Sequence, residues 1–386
     1  MSQSQAEADF IVRAKRVGAL AREHATESEQ LGQLAPPVVE ALHTEGLLGM
    51  WVPRSLRGGA ELDPVASLEV IENVSYGDPS AGWVLMAASL AIGTGAAYLK
   101  DDAVKGLFGG PRLPVIAGQG TRPGLAKPTS GGYSLTGSWS FASGIKHGTH
   151  IHTLGLIEGT NEARIFVLPV GKATLIDNWD VLGLRATGSI DYTTDGVLVP
   201  EAYTHAATTE QPLRGGNLYR IGIIGFAAIC HSGWACGIGR RVLDELIGVV
   251  AAKAGRAGTL ADSTSFQEQF ANAEAVVRSA RAFVYEIWND VSATLARGDA
   301  LSVRQHSLVR LALAHSTWSA HEAALFAYKA AGTAALRAGT IQHLFRDIHA
   351  GTQHITSSPP VYAGIGRELA GLAKGKKWLF LNLIDQ

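Results

Sequence analysis

The chain has 386 residues, with 33 basic and 34 acidic side chains and a formal net charge of −1. That balance, without any basic run, excludes the electrostatic footprint of a nucleic-acid or anionic-membrane binder. Charged residues are only 17% against a hydrophobic share of 46%, which excludes global disorder and suits a chain that hides surface against other subunits.

The N-terminus, Met1 to Asp9, is polar and lacks an apolar signal core, so a cytoplasmic protein is expected. Helices come first. Phe10, Ala14, Val17 and Ala21 recur at three- and four-residue spacing, Pro36-Pro37 opens a second helix, and Gly46 stops it. Asp63-Pro64 and Asp78-Pro79-Ser80 are caps followed by proline. The second leads into a weakly polar helix through Trp83, Leu85, Met86 and Leu90.

From Leu113 to Thr204 turn residues cluster between short β-rich runs. Over residues 133–143 the large apolar residues are all odd-numbered. Strand alternation therefore predicts Tyr133, Leu135, Trp139 and Phe141 on one face, with Ser143 following if the strand continues. Residues 150–157, 164–170 and 196–199 are further strand candidates.

Long Ala- and Leu-rich helices are predicted over 218–252, 264–297 and 301–333. A fourth starts near Thr340, and Pro359-Pro360 precedes a last one. Long helices on short connections make a bundle. The three regions are 1–112, helical; 113–210, β; and 211–386, helical. Cys230 and Cys236 lie in an apolar run, Ile221 to Ile238, broken by His231, Ser232, Trp234 and glycines. A disulfide scaffold is excluded, and a buried helix fits that run better than a membrane span. His147, His150 and His152 lack a neighbouring carboxylate, so no metal site is expected.

Three segments stand in order within this plan. They are Gly137-Ser-Trp-Ser-Phe-Ala-Ser-Gly144, Trp179-Asp-Val-Leu-Gly-Leu-Arg-Ala-Thr-Gly-Ser189 with Val199-Pro200-Glu201 after it, and Arg346-Asp347. Together they resemble the acyl-CoA dehydrogenase superfamily over nearly the whole chain. The resemblance implies an α+β, mostly α, acyl-CoA dehydrogenase-like fold, with an N-terminal helical domain, a central β-barrel and a C-terminal helical bundle that builds a homotetramer.

One large dehydrogenase subgroup carries a glutamate base shortly after the Arg-Asp pair. Ala350 falls there, and a methyl group takes no proton. An acyl-CoA dehydrogenase would need its base elsewhere, on Asp244 or Glu245. A non-catalytic flavin-binding member of the fold is the other alternative. The stretch from Arg346 to His354 is more similar to the flavin-dependent two-component monooxygenases of this fold. That resemblance implies an oxygenase component that takes reduced FAD or FMN from a separate flavin reductase. With O2, through a C4a-hydroperoxide, it would hydroxylate a small aromatic such as indole or a phenol. The lack of a Gly-x-Gly-x-x-Gly nicotinamide signature agrees, since such a protein does not reduce its own flavin.

The same resemblance places His354 over the flavin, where a neutral imidazole can hydrogen-bond the peroxide or take a substrate proton. His349, about 140° away on a regular helix, is read as a packing residue. Ser143 would bond the flavin near N5, with Trp139 and Phe141 beside it. Gly118, Gln119 and Gly120 would allow close backbone approach. Arg256 and Arg346 would meet the polar parts of the cofactor, and Trp83 and Met86 would wall the substrate pocket.

Overall fold

The computed structural model describes residues 3–252 and 260–385. Helices α1 (Gln3–Glu23), α2 (Ala25–Leu31), α3 (Pro36–Thr44), α4 (Pro64–Gly77), α5 (Pro79–Tyr98) and α6 (Asp101–Phe108) form the first region. Asp63 accepts from the Val65 N–H at 2.9 Å and Asp78 from the Ala81 N–H at 2.8 Å. Each satisfies a donor that a first helical turn leaves open, and the proline behind it sacrifices no helical hydrogen bond. Helices α1 and α4 cross in backbone contact, since a Cβ on Gly77 would lie 2.0 Å from the Gly18 carbonyl oxygen. Helix α5 has no polar face and is buried almost throughout. A helix apolar all round belongs inside a core or a membrane. Its apolar window is 89% buried within the protein, and that of the helix beginning near Asn217 is 83% buried, so both are core helices here.

Strands β1 (Ile116–Thr129), β2 (Gly132–Trp139), β3 (His150–Ile157), β4 (Ala163–Pro169), β5 (Thr174–Ile176), β6 (Asp191–Pro200) and β7 (Thr204–Ala206) form one sheet, ordered β5-β6-β2-β1-β3-β4-β7. Only β1 and β3 pair in parallel. The sheet surrounds one core that includes Leu135, Trp139, Ile151, Phe166 and Tyr192. Strands β5 and β7 remain its two edges, so the expected barrel is an open one. Strand β1 was not among the strand candidates. Pro123 and Pro128 obscure it, and its pairing with β3 shifts register between Gln119 and Gly124, around the first proline.

The bundle comprises α7 (Gly222–Ala251), α8 (Thr264–Ala296), α9 (Val303–Ala331), the short α10 (Thr333–Leu336), α11 (Thr340–Gly351) and α12 (Pro359–Leu369). A hairpin, β8 (Lys376–Leu379) and β9 (Asn382–Asp385), ends it where the sequence predicts only helix. Trp378 donates to the Ser307 hydroxyl at 2.8 Å, and Arg310 donates to the Phe380 carbonyl at 2.6 Å, which pins the hairpin to α9.

Candidate active site

Strand β2 stops at Trp139, and the chain leaves it through Phe141 at φ +68°. Such a backbone is costly for a bulky side chain and persists where the surroundings demand it. The turn swings Phe141 outward, 67% exposed, and Ser143 inward, 7% exposed. The expected alternation thus holds to Trp139 and fails at Phe141.

Ser143 heads a chain of hydroxyls whose direction is fixed from its far end. Thr187 donates to the Leu184 carbonyl at 2.8 Å, so it accepts from Ser189 at 2.6 Å. Ser189 then accepts from Ser143 at 2.8 Å, and the Trp83 indole N–H donates to Ser143 at 3.0 Å. The Ser143 proton is committed. A hydroxyl oxygen has two lone pairs, and the one left can only accept.

His354 faces Ser143 across Trp83. The Trp83 ring meets those of Trp234, His231 and His354 edge-on, with centroids 5.0, 5.1 and 5.7 Å away. Helix α11 ends at Gly351, so His354 lies beyond it and caps a short 3-10 turn, Ile355–Ser357. Gly351 is needed there because a Cβ would fall 2.2 Å from the Trp234 ring. The Thr356 N–H points at His354 Nδ1 (3.4 Å), and the Thr356 hydroxyl lies 2.8 Å from it. A nitrogen receiving a backbone N–H carries no proton, so the proton of the neutral ring sits on Nε2. Burial holds the ring neutral, its pKa pushed down to about 4. His354 thus offers a donor on Nε2 and no free acceptor, which favours hydrogen bonding over the expected proton abstraction.

A charged cluster fixes this arrangement from behind. Asp347 accepts from the Leu184 N–H at 2.7 Å, and Gly183 lies against the Arg346 carbonyl where a Cβ would clash at 2.0 Å. His343 Nε2 lies 3.0 Å from Asp347 and 3.5 Å from Asp78, and its Nδ1 lies 3.5 Å from Glu29. Burial opposes the His343 cation, yet Asp347, Glu29 and Asp78 outweigh it and raise the pKa to about 11. The hydrogen bond from His343 takes Glu29 down to about 2, whereas burial pushes Asp78 up to about 6. One cluster therefore ties the α5 cap, α2, α11 and the 182–184 loop together.

Several expected site residues lie elsewhere. Trp139 is wholly enclosed, stacked on Tyr192 at 5.2 Å with its N–H on the Leu154 carbonyl. With no surface left for a cofactor, it is a core residue. Met86 is also core, 2% exposed, with its carbonyl accepting from the Cys230 thiol. It has no face to offer a substrate. A Cβ on Gly118 would meet the His152 carbonyl at 2.0 Å, so the close approach is to β3 and not to a ligand. Gln119 and Gly120 lie beside it on β1, outside the contacts joining Ser143, Trp83 and His354. Arg346 pairs with Glu29 and donates to the Leu182 carbonyl, and with Arg185 it lines a cleft of about 610 Å3. Arg256 lies outside the described residues. His349 bonds the Phe345 carbonyl (2.7 Å) and meets His321 at 3.1 Å, outside the contacts joining Ser143, Trp83 and His354. Asp244 and Glu245 are held by Arg240 and Arg241.

The sequence reading missed His231. Its ring lies 4.1 Å from that of His354, tilted by 33°, with 6% of the residue exposed. Burial, and then the nearby His354, push its pKa well below the usual histidine range. Its only sequence signal was as a polar break in an apolar run.

Sequence models of the acyl-CoA dehydrogenase N-terminal and C-terminal domains match residues 13–105 and 229–359. The chain belongs to the acyl-CoA dehydrogenase superfamily. Within that superfamily it is similar to oxygenases. It is 30% identical over 361 residues to the indole-3-acetate monooxygenase of Pseudomonas putida, covering 89% of each chain. It is 24% identical to HsaA of Rhodococcus jostii, the oxygenase subunit of a flavin-dependent monooxygenase, covering 88% of this chain and 92% of that one. Its fold matches XiaF from a Streptomyces species, solved with FADH2 and glycerol, at a TM-score of 0.86 and 22% identity, over 96% and 97% of the two chains.

Proposed function

We propose that this superfamily member is the oxygenase component of a two-component flavin-dependent monooxygenase, hydroxylating a small uncharged aromatic such as indole or a phenol. One observation carries the reading. Ser143 offers only an acceptor and His354 only a donor, and both touch Trp83 in a cluster of rings with His231 and Trp234. Reduced flavin carries an N–H at N5 that the spare Ser143 lone pair suits, and outward-facing Phe141 offers an apolar surface beside it. When bound, reduced FAD or FMN supplies the activation of O2. Ser143 would hold the ring through its spare lone pair, and His354 would offer its Nε2 proton as a hydrogen-bond donor. Arg185 and Arg346, on the wall of the neighbouring cleft, suit the phosphate end of the cofactor. The oxygenase-subunit name of HsaA and the FADH2 in XiaF support reduced flavin from a separate reductase.

The dehydrogenase alternative needs a free carboxylate base beside the flavin. Asp244 and Glu245 are paired with arginines, and Ala350 stands at the usual position. The test supplies reduced flavin from a separate reductase, with O2 and either indole or phenol. Hydroxylated product, no NADH oxidation by the chain alone, and no bleaching of oxidised flavin by an acyl-CoA are expected. Acyl-CoA-dependent bleaching without hydroxylation would replace this reading with the dehydrogenase one.

A further inference from the structure

Two histidines pack against Trp83, and their hydrogen-bonding states differ. His354 Nδ1 is taken by Thr356, which leaves its Nε2 proton as a donor. His231 comes from α7, and its ring lies beside that of His354, centroids 4.1 Å apart and tilted by 33°. Among the described residues neither ring nitrogen of His231 has a hydrogen-bond partner, and neither is among the buried polar atoms sealed from solvent. The usual outcome for a histidine on an apolar helix is a bond to a carbonyl one turn back, which His349 makes and His231 does not. The other polar groups facing the ring are accounted for. The Trp83 N–H is on Ser143, the Trp234 N–H is on the Pro79 carbonyl at 2.9 Å, and the Cys230 thiol is on the Met86 carbonyl. A neutral imidazole always has one nitrogen that accepts. His231 is therefore an unfilled acceptor beside Trp83, as Ser143 is on the other contact of the same indole.

We propose that His231 is a specificity-determining, substrate-binding residue: one of its nitrogens accepts the N–H or O–H of the aromatic ring to be hydroxylated. This rests on the aromatic-hydroxylase reading above and narrows it. The preferred substrates carry a donor on or beside the ring, as indole and phenols do. Because the two rings are 4.1 Å apart, a donor held by His231 would lie close to His354.

The test is equilibrium binding by calorimetry, with indole and 1-methylindole as probes on the full chain. The N-methyl group adds apolar contact of its own, so the ratio of the two affinities is read. In His231→Phe, which keeps the ring packing and loses the nitrogens, the preference for indole should shrink by about 3- to 10-fold, the range for one neutral hydrogen bond. His231→Gln keeps an acceptor and should recover part of that preference. A ratio unchanged between wild type and His231→Phe overturns the proposal, and continued hydroxylation of indole in the same preparation would leave the function reading standing. Failure of both probes to bind wild type, with no hydroxylation, overturns both.

Discussion

His343 and His354 lie within one short stretch of chain and end in opposite states. His343 sits among Asp347, Asp78 and Glu29 and is held charged, its pKa raised to about 11. His354 sits among Trp83, His231 and the end of α11 and is held neutral, its pKa lowered to about 4. Both are largely buried, so burial alone does not decide. The neighbours do, carboxylates stabilising the cation and apolar rings leaving desolvation unopposed. The first histidine holds three regions together, and the second keeps its Nδ1 occupied by Thr356 and its proton on Nε2. His349, between them, packs its ring against His321 and Phe345.

The contrast can be broken at either end. Replacing His354 with alanine should have the largest effect on chemistry. Reduced flavin should still bind, hydroxylation should fall by roughly 10²–10⁴-fold, and hydrogen peroxide should be released instead. Product yield and peroxide release measure this together, and a fully coupled variant would contradict the role given to His354.

His343→Ala should act on stability instead, because it leaves Asp347 and Asp78 without their cation, while Glu29 keeps Arg346. Losing one partner of a buried charge cluster costs about 3–5 kcal/mol, read as a drop in denaturant midpoint. The pH dependence follows from the same shifts. The stability from His343 is full below about pH 6.5 and is lost as pH rises through 11. Glu29 adds stability above its ordinary carboxylate range that is lost as pH falls through about 2. His354, with its pKa lowered, favours folding above about 6.5, and that contribution falls as pH drops towards 4. Thermal melts across pH should therefore show a neutral plateau that declines on both sides, with the alkaline limb weakened in His343→Ala.

Ser143→Ala should have a smaller effect, about tenfold in coupling, because it removes one acceptor and strands the Trp83 N–H. His349→Ala should leave hydroxylation unchanged. Light scattering should report a homotetramer, as the low charged fraction and exposed apolar residues such as Leu336 and Leu372 suggest.

Much of this was legible in the sequence. The Asp-Pro caps, the long bundle helices and strand β3 follow from local rules, Ser143 and His354 were singled out by motif order and Trp83 by its weakly polar helix, and the structure sets all three in contact through Trp83. What was hidden is non-local or conformational. Phe141 adopts a left-handed backbone that no residue type announces there, so alternation carried it to the wrong face. Prolines disguised β1. His231 read as a break in a core helix, because only the fold brings α7 against the residues after α11. The Asp78–His343–Asp347 cluster joins residues some 270 positions apart and had no local signal.

The state of the His354 ring tests the account most directly. In protein labelled with ¹⁵N at its 13 histidines, the His354 signals can be assigned by their loss in His354→Gln. The account predicts a neutral ring with the proton on Nε2 that does not titrate between about pH 5.5 and 8. A His354 resonance that titrates near 6.5, or that carries its proton on Nδ1, would contradict it.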